Sequence, residues 1–211
     1  MFQDAYVKLD RLEVEEVVAH TKKAFDGISF NPEQTVVMVR DLPFYPGYRF
    51  YDMTDHSRNP AARRFLIAKG DEFIVLDFTN GPIYALNKKT NADGQPTIYL
   101  TRDTVKDYVR FFFTFVRGRH GRFIIVETVD DISWREEPPM AAKNAIGKLI
   151  RPIAFHATDT GDGTFYMQAQ MMFRDSLFQA DVTAKPDGLV QLSNESLLIE
   201  DMPVVDDTFG L

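Results

Sequence analysis

The residues best suited to acid–base chemistry lie in the segment "PFYPGYRFYDMTDHS", at positions 43–57. Asp52, Asp55 and His56 lie close together there, and a carboxylate can orient an imidazole that acts as a general base. The same residue types also suit a polar turn after a strand, because Asp and Ser side chains bond their own backbone. We favour the turn and keep the three residues as candidates for catalysis.

The same segment carries aromatic side chains that could line a ligand or partner surface. If "GYRFYDM" is a strand, Tyr48 and Phe50 share one face and Arg49 and Tyr51 share the other. Tyrosine is frequent at interfaces because its ring is apolar and its hydroxyl is polar. The candidate surface consists of Tyr45, Tyr48, Arg49 and Tyr51. Burial in the core is the commoner fate of such rings, and we favour it.

A group of cations lies in "VRGRHGRF", directly after an apolar segment. Arg117, Arg119 and Arg122 could bind an anion, because guanidinium groups match the geometry of phosphate and carboxylate. The alternative is a helix end, with Gly118 as the cap residue and the cations near the negative end of the helix dipole. We favour the helix end.

Several kinds of chemistry lack support in the sequence. The chain has no cysteine, which excludes disulfides, thiolate catalysis and iron–sulfur clusters. The histidines His20, His56, His120 and His156 are not at metal-ligand spacing. Glycine-rich phosphate loops and dinucleotide-binding motifs are also missing, so we expect no metal and no cofactor.

Composition and charge narrow the class of protein. The 211 residues are 45% hydrophobic and 26% charged, which is typical of a globular chain, and the net charge of −7 argues against nucleic-acid binding. We see no signal peptide and no apolar run of the roughly 20 residues that a membrane span needs, so we expect a soluble, cytoplasmic protein. Residues 40–151 carry a net charge of +4 and residues 152–211 carry −8, so the two parts could attract each other within one chain or between copies.

The elements of the first half follow from periodicity and turn residues. Asp10 and Glu13 have the spacing of a capping box, and the apolar positions after them predict an N-terminal helix. A strand, "TVVMVRDL", precedes the aromatic segment. Three further apolar runs with tight-turn residues between them predict a three-stranded meander, in the order "RFLIA", "EFIVLDF" and "PIYALN".

The second half begins with a helix rich in phenylalanine. We predict this helix over residues 101–118, with Thr101 or Asp103 as its N-cap, and we expect it to be buried on more than one side. A strand, "RFIIVETV", and a short helix, "MAAKNAIGKLI", follow. The sequence after this short helix predicts a second meander, with the runs "RPIAFHA", "TFYMQAQMMF", "SLFQADVTA" and "GLVQLSNESLL".

Together these elements predict an α+β fold. Two antiparallel meanders pack around the central Phe-rich helix, with the N-terminal helix added, and residues 1–100 and 101–211 form two halves that share one core. From Thr101 onward, the order of helix, strand, short helix and successive strands resembles that of the cone-shaped cystatin-like or nuclear-transport-factor-like folds. Those folds contain enzymes and non-enzymes alike, so the resemblance implies no activity.

The absence of catalytic motifs favours a non-catalytic module that binds a protein partner or a second copy of itself. A homodimer is plausible because symmetric self-association is common and meanders leave strand edges for pairing. The alternative is a small-molecule pocket or a general acid–base enzyme that uses Asp52, Asp55 or His56.

Overall fold

The computed structural model describes residues 6–22, 24–25, 28–118, 121–156 and 161–205. These residues form two antiparallel sheets and four α-helices, which confirms the predicted α+β class. They divide into two compact units. The first comprises the described residues up to Asp77 together with Gly81–Thr97, and the second comprises Phe78–Asn80 together with the described residues from Ile98 onward. The division after residue 100 and the shared core stay predictions.

The first unit is built on a five-stranded antiparallel sheet whose strands lie in the order of the chain. Its strands are β1 (Val7–Lys8), β2 (Thr35–Asp41), β3 (Arg49–Asp55), β4 (Ala62–Lys69) and β5 (Glu72–Leu76). The turn between β4 and β5 is the predicted tight turn, because Lys69 pairs with Glu72 and Gly70 has a φ of 55°. Glycine suits that left-handed conformation because it has no Cβ.

Helix α1 (Arg11–Thr21) packs against one face of this sheet. Its N-terminus is the predicted capping box: Asp10 Oδ1 accepts from the Glu13 amide at 2.9 Å, and Glu13 Oε2 accepts from the Asp10 amide at 2.8 Å. Val14 lies in a core cluster with Val37 and Tyr51. The apolar stripe of the helix therefore meets the apolar side chains of β2 and β3.

The third strand predicted for the first meander is a helix instead. The segment "PIYALN" lies in α2 (Gly81–Asn87), so the strand prediction was wrong. Pro82 lies in the first turn, where a missing amide hydrogen costs nothing, and Ile83, Leu86 and Asn87 are buried at helical spacing. The turn residues before the segment favour a hairpin. The buried residues are instead three and four positions apart, as in a helix, and not two positions apart, as on one face of a strand.

The second unit is built on another antiparallel sheet, with the strands β6 (Ile124–Val126), β7 (Ala154–Phe155), β8 (Phe165–Phe173), β9 (Ser176–Ala184) and β10 (Val190–Ile199). The order across the sheet is β10-β9-β8-β6, with β7 also paired to β8. The β9–β10 turn has the predicted chemistry, with Gly188 at a φ of 78° and its amide bonded to the Lys185 carbonyl at 2.8 Å. Part of the loop before β8 lies outside the described residues.

The Phe-rich helix of the second unit is α3 (Val105–Phe115). Thr104 is its N-cap residue, not Thr101 or Asp103, and Val116, not Gly118, is its C-cap residue. The predicted burial on several sides is confirmed by seven buried side chains, which are Val105, Tyr108, Val109, Phe111, Phe112, Phe113 and Phe115. The position of α3 between the two meanders stays a prediction.

The sheet of the second unit is covered unequally on its two faces. Ala180, Val182 and Ala184 of β9 are buried on one face, while Asp181 and Thr183 of the other face are half-buried, as the alternation predicts. An apolar cluster covers one end of the polar face, the face that carries Asp181 and Thr183. The cluster contains Val126, Ile132, Ile150, Met172, Leu177, Met202 and Val204, and helix α4 (Met140–Gly147) packs against it through Ile146.

Among the helices of the described residues, none has both the length and the apolar character that crossing a lipid bilayer requires.

Candidate functional site

Asp52 is held by an arginine of the neighbouring strand. Arg63 on β4 donates to both carboxylate oxygens of Asp52, at 2.9 and 2.6 Å. The Arg63 guanidinium also lies 4.9 Å from the centroid of the Phe65 ring. The carboxylate is therefore engaged in a bidentate ion pair across two strands and does not orient a histidine.

Asp55 shapes the turn that follows β3. Its side chain is only 1% exposed and accepts from the amides of Asn31 at 2.9 Å and Ser57 at 2.8 Å. Burial alone would raise the pKa of Asp55, but these hydrogen bonds and the nearby Arg58 charge outweigh it and lower the pKa. His56 is exposed and does not hydrogen-bond to Asp52 or Asp55, so the three candidates do not assemble into one site.

The predicted tyrosine surface is mostly interior. Tyr45 is fully buried, with its hydroxyl 2.5 Å from Asn87 Oδ1, and the Tyr48 hydroxyl donates to Glu72 Oε2 at 2.8 Å. Burial, followed by the hydrogen bond and the charge of Glu72, raises the pKa of Tyr48 to about 12. Both hydroxyls are satisfied inside the first unit, and a phenylalanine at either position would leave Asn87 or Glu72 without this hydrogen bond.

Arg49 and Tyr51 line an open cleft, although Tyr51 is as buried as Tyr48, with 7% of each exposed. The Arg49 guanidinium lies 5.4 Å from the Tyr51 ring centroid. The cleft has a volume of about 340 Å³ between β3 and α1, and Glu13, Glu16 and His20 also line it. A ligand surface at Arg49 and Tyr51 stays a prediction, whereas Tyr45 and Tyr48 are core residues.

Two of the three arginines of the predicted anion site, Arg117 and Arg122, lie among the described residues. The Arg117 guanidinium stacks on the Phe78 ring at 3.8 Å, and Arg122 lines a small cavity of about 130 Å³ with Arg174. Between them, Gly118 and Gly121 bond each other's backbone at 2.7 and 3.2 Å. Arg119 lies outside the described residues.

A different cluster of chemical groups lies on the polar face of the second sheet. Strand pairing sets Gln168 of β8 opposite Asp181 of β9, and Asp181 opposite Ser193 of β10. Tyr166 and Thr183 form the next pair on the same face. The apolar cluster covers the other end of this face, at Met172 and Leu177, so the polar end is left open.

His156 reaches this face from the opposite side of β8. Its amide donates to the Tyr166 carbonyl at 2.9 Å, which extends the pairing of β7, and its imidazole crosses β8 to Asp181. The distance from His156 Nε2 to Asp181 Oδ1 is 3.0 Å. The two side chains are partly exposed, at 37% and 28%, so a ligand can reach them.

Asp181 is held in its ionised form by several donors. Asn194 Nδ2 donates to Asp181 Oδ2 at 2.8 Å, and this bond is the largest influence that lowers the pKa of Asp181. Partial burial opposes the shift, while His156 and Gln168 add to it. Asn194 has a φ of 53° at an irregularity in the β9–β10 pairing, which turns its amide back toward the carboxylate.

The ionised Asp181 fixes the hydrogen on the neutral imidazole. A carboxylate only accepts hydrogen bonds, so Nε2 of His156 must be the donor. The Nδ1 atom then carries the free lone pair, and it has no hydrogen-bond partner in the described part of the chain. This atom is available to accept a hydrogen bond or a proton from a bound molecule.

Two adjoining depressions surround the His156 side chain. The larger has a volume of about 400 Å³, within the range of small-molecule sites, and its lining includes His156, Tyr166, Asp181, Thr183, Ser193 and Asn194. The smaller has a volume of about 110 Å³, and its lining includes Arg102, Phe155, Gly163, Thr164 and again His156 and Tyr166. His156 and Tyr166 therefore stand at the junction of the two.

The sequence carries only part of the signal for this site. The alternation in β9 places Asp181 and Thr183 on a polar face, but nothing near Asp181 in the sequence points to His156, 25 residues before it. Their contact depends on the pairing of three strands, which no local motif encodes.

In the described residues, no group of three or more histidine, aspartate and glutamate side chains is arranged to hold a metal ion. No protein-family model matches the chain, and neither curated proteins nor solved structures show significant similarity to it. The resemblance of element order to cystatin-like folds stays a prediction.

Proposed function

We propose that the second unit binds a small molecule in the cleft above the polar face of its sheet, with His156 as the group that exchanges a proton with it. The observation that carries this proposal is the chain of contacts from Asn194 to Asp181 to His156, inside a depression of about 400 Å³. A carboxylate that fixes an imidazole while one ring nitrogen stays free is the arrangement that general acid–base chemistry uses.

The lining of the cleft supports binding as well as proton exchange. The hydroxyl groups of Tyr166, Thr183 and Ser193 make no hydrogen bonds to the rest of the described chain, so they are free to bond a ligand. Tyr166 also contributes apolar ring area. A pocket with some apolar surface and a few convergent polar groups is the usual form of a small-molecule site.

The proposal is tested by screening a library of small polar molecules against the ¹⁵N-labelled full chain by NMR. Binders are expected to shift the resonances of the cleft residues, above all Tyr166, Asp181 and Ser193. His156→Gln should weaken these binders about tenfold, because it removes the basic ring nitrogen, whereas the exposed His56→Gln should leave them unchanged. A library that shifts no cleft resonance would contradict the proposal.

A second candidate function is self-association, which agrees with the interaction module favoured by the sequence. Strand β10 is an edge of its sheet, and the exposed fraction of Leu197 on it is 49%. Two copies could pair antiparallel along this edge, which would generate a two-fold symmetric dimer. A further irregularity in the β9–β10 pairing and the charge of Glu195 restrict the pairing to part of the strand.

Light scattering separates this second candidate from the first. Self-association predicts a mass of twice 24.2 kDa that Leu197→Lys reduces to the monomer mass, while Leu12→Lys, at a 76% exposed position on α1, has no effect. A wild-type mass of 24.2 kDa at high protein concentration would exclude self-association.

A further inference from the structure

We propose that the molecule bound in this cleft carries an oxyanion, a carboxylate or a phosphate, which binds beside Arg102 at the smaller depression. The inference rests on the proposed function, since it concerns the same cleft. It adds the chemical class of the ligand and states that the anionic end of the ligand lies beside Arg102.

The first support is a pair of cations on one aromatic ring. The guanidinium carbon of Arg102 lies 4.3 Å from the Phe155 ring centroid, and Nζ of Lys106 lies 4.9 Å from the same centroid. Their charges are therefore no more than about 9 Å apart, the sum of the two distances. Two like charges at this separation repel each other, and an anion bound between them or beside them relieves that repulsion.

The second support is that neither cation is paired with a carboxylate among the described residues. Within the described ranges, no carboxylate lies in salt-bridge distance of Arg102 or Lys106. The next cation along α3 is different, because Arg110 pairs with Asp107 at 2.7 Å and with Glu127 at 2.6 Å. Asp107 is thus used by Arg110, and the charges of Arg102 and Lys106 remain available to a ligand.

The third support is the lining of the smaller depression. Arg102 lies there with Thr164 and Tyr166, whose hydroxyl groups have no hydrogen-bond partner among the described residues and can donate to an oxyanion. His156 and Tyr166 line both depressions, so an oxyanion beside Arg102 lies next to the cleft that contains Asp181.

The charge of Asp181 fixes the orientation of such a ligand. Asp181 is ionised and lies on the larger cleft, so that side repels a second negative group. The oxyanion therefore belongs on the Arg102 side, and the neutral part of the molecule belongs near His156 and Asp181. The ligand class that fits is a small organic acid with one anionic end.

The test uses four probes of similar size that differ in charge, namely benzoate, phenyl phosphate, benzamide and benzylamine, each titrated into the ¹⁵N-labelled full chain. We expect benzoate or phenyl phosphate to bind about tenfold more tightly than benzamide, with shifts at Thr164 and Tyr166. The comparison of benzoate with phenyl phosphate shows which oxyanion the depression prefers. Arg102→Gln should remove the tenfold advantage of the anions over benzamide, while Lys148→Gln, at an exposed cation of α4's C-cap, should preserve that advantage.

The outcomes separate this inference from the proposed function. If benzamide or benzylamine binds at the cleft as tightly as the two anions, the inference of an oxyanion is wrong. The cleft would still be a binding site in that case. Tight binding of benzoate that Arg102→Gln does not weaken would also overturn it. If none of the four probes shifts a cleft resonance, the oxyanion inference fails, and the library screen decides the proposed function separately.

Discussion

Nε2 of His156 lies 3.0 Å from Oδ1 of Asp181, although the two residues belong to opposite sides of strand β8. The contact exists because the imidazole extends from the end of β7 across the polar face of the sheet. Asn194 donates to the other oxygen of the carboxylate at 2.8 Å, so the orientation of the imidazole is set by residues from two strands, β9 and β10.

The first prediction concerns the position of the hydrogen on neutral His156. Because Asp181 accepts from Nε2, the ¹⁵N NMR spectrum of the ring should show the Nε2–H tautomer. Asp181→Asn should reduce this preference, since an amide can accept or donate. A dominant Nδ1–H tautomer in the wild-type protein would show that the contact does not orient the ring.

The second prediction separates two roles of Asn194. Asn194→Gly removes the hydrogen bond to Asp181 and keeps a residue that tolerates the φ of 53°, so it should cost roughly 1 kcal/mol of unfolding free energy. Asn194→Ala loses the same bond and adds backbone strain, so it should cost about 1 kcal/mol more. Chemical denaturation measures both. Equal stability of the two variants would show that the backbone conformation imposes no strain.

The local elements could largely be read from the sequence, whereas the site could not. The capping box at Asp10 and Glu13 and the turn at Gly70 involve neighbours in the chain, so residue types alone identify them. The segment at Ile83 misled the prediction because a short apolar run suits a strand or a helix equally well. Asp52 and Asp55 lie close to His56 in the sequence, but this proximity does not reveal that Arg63 pairs with Asp52 and that the turn amides bond Asp55.

The third prediction tests the burial of the Phe-rich helix. Phe112 is 6% exposed and contacts the rings of Tyr108 and Phe113, with centroids 6.3 and 5.5 Å away. Phe112→Ala should lower the unfolding free energy by about 3 to 5 kcal/mol, the usual cost of removing a buried ring. Thr114→Ala, at a half-buried position of the same helix, is the control and should cost less. A loss under about 1 kcal/mol for Phe112→Ala would contradict the packing.

The fourth prediction is a pH dependence caused by Asp55. Its pKa in the folded protein lies below the ordinary value of 3.8, so its ionised form stabilises the fold at neutral pH. This contribution is complete above the ordinary pKa and is lost as the pH falls below 3.8 through the lowered value. Asp55→Asn should destabilise the protein by roughly 1 to 3 kcal/mol at pH 7 and flatten this part of the acid dependence.

The exposed Asp93→Asn serves as the control for the acid dependence, because Asp93 lies in a surface loop. It should leave both the stability at pH 7 and the slope below pH 4 close to those of the wild type, with about 0.5 kcal/mol as the expected limit for a surface change. If Asp55→Asn gave the same slope as Asp93→Asn, the ionised Asp55 would not stabilise the turn.

The most direct test of the central claim is a crystal structure of the full chain after soaking with small organic acids. The account predicts electron density for a bound acid in the cleft, with its anionic group beside Arg102 and its other end within hydrogen-bond distance of Nδ1 of His156. A cleft that holds only water at high concentrations of these acids, while the His156–Asp181 contact is present, would contradict the account.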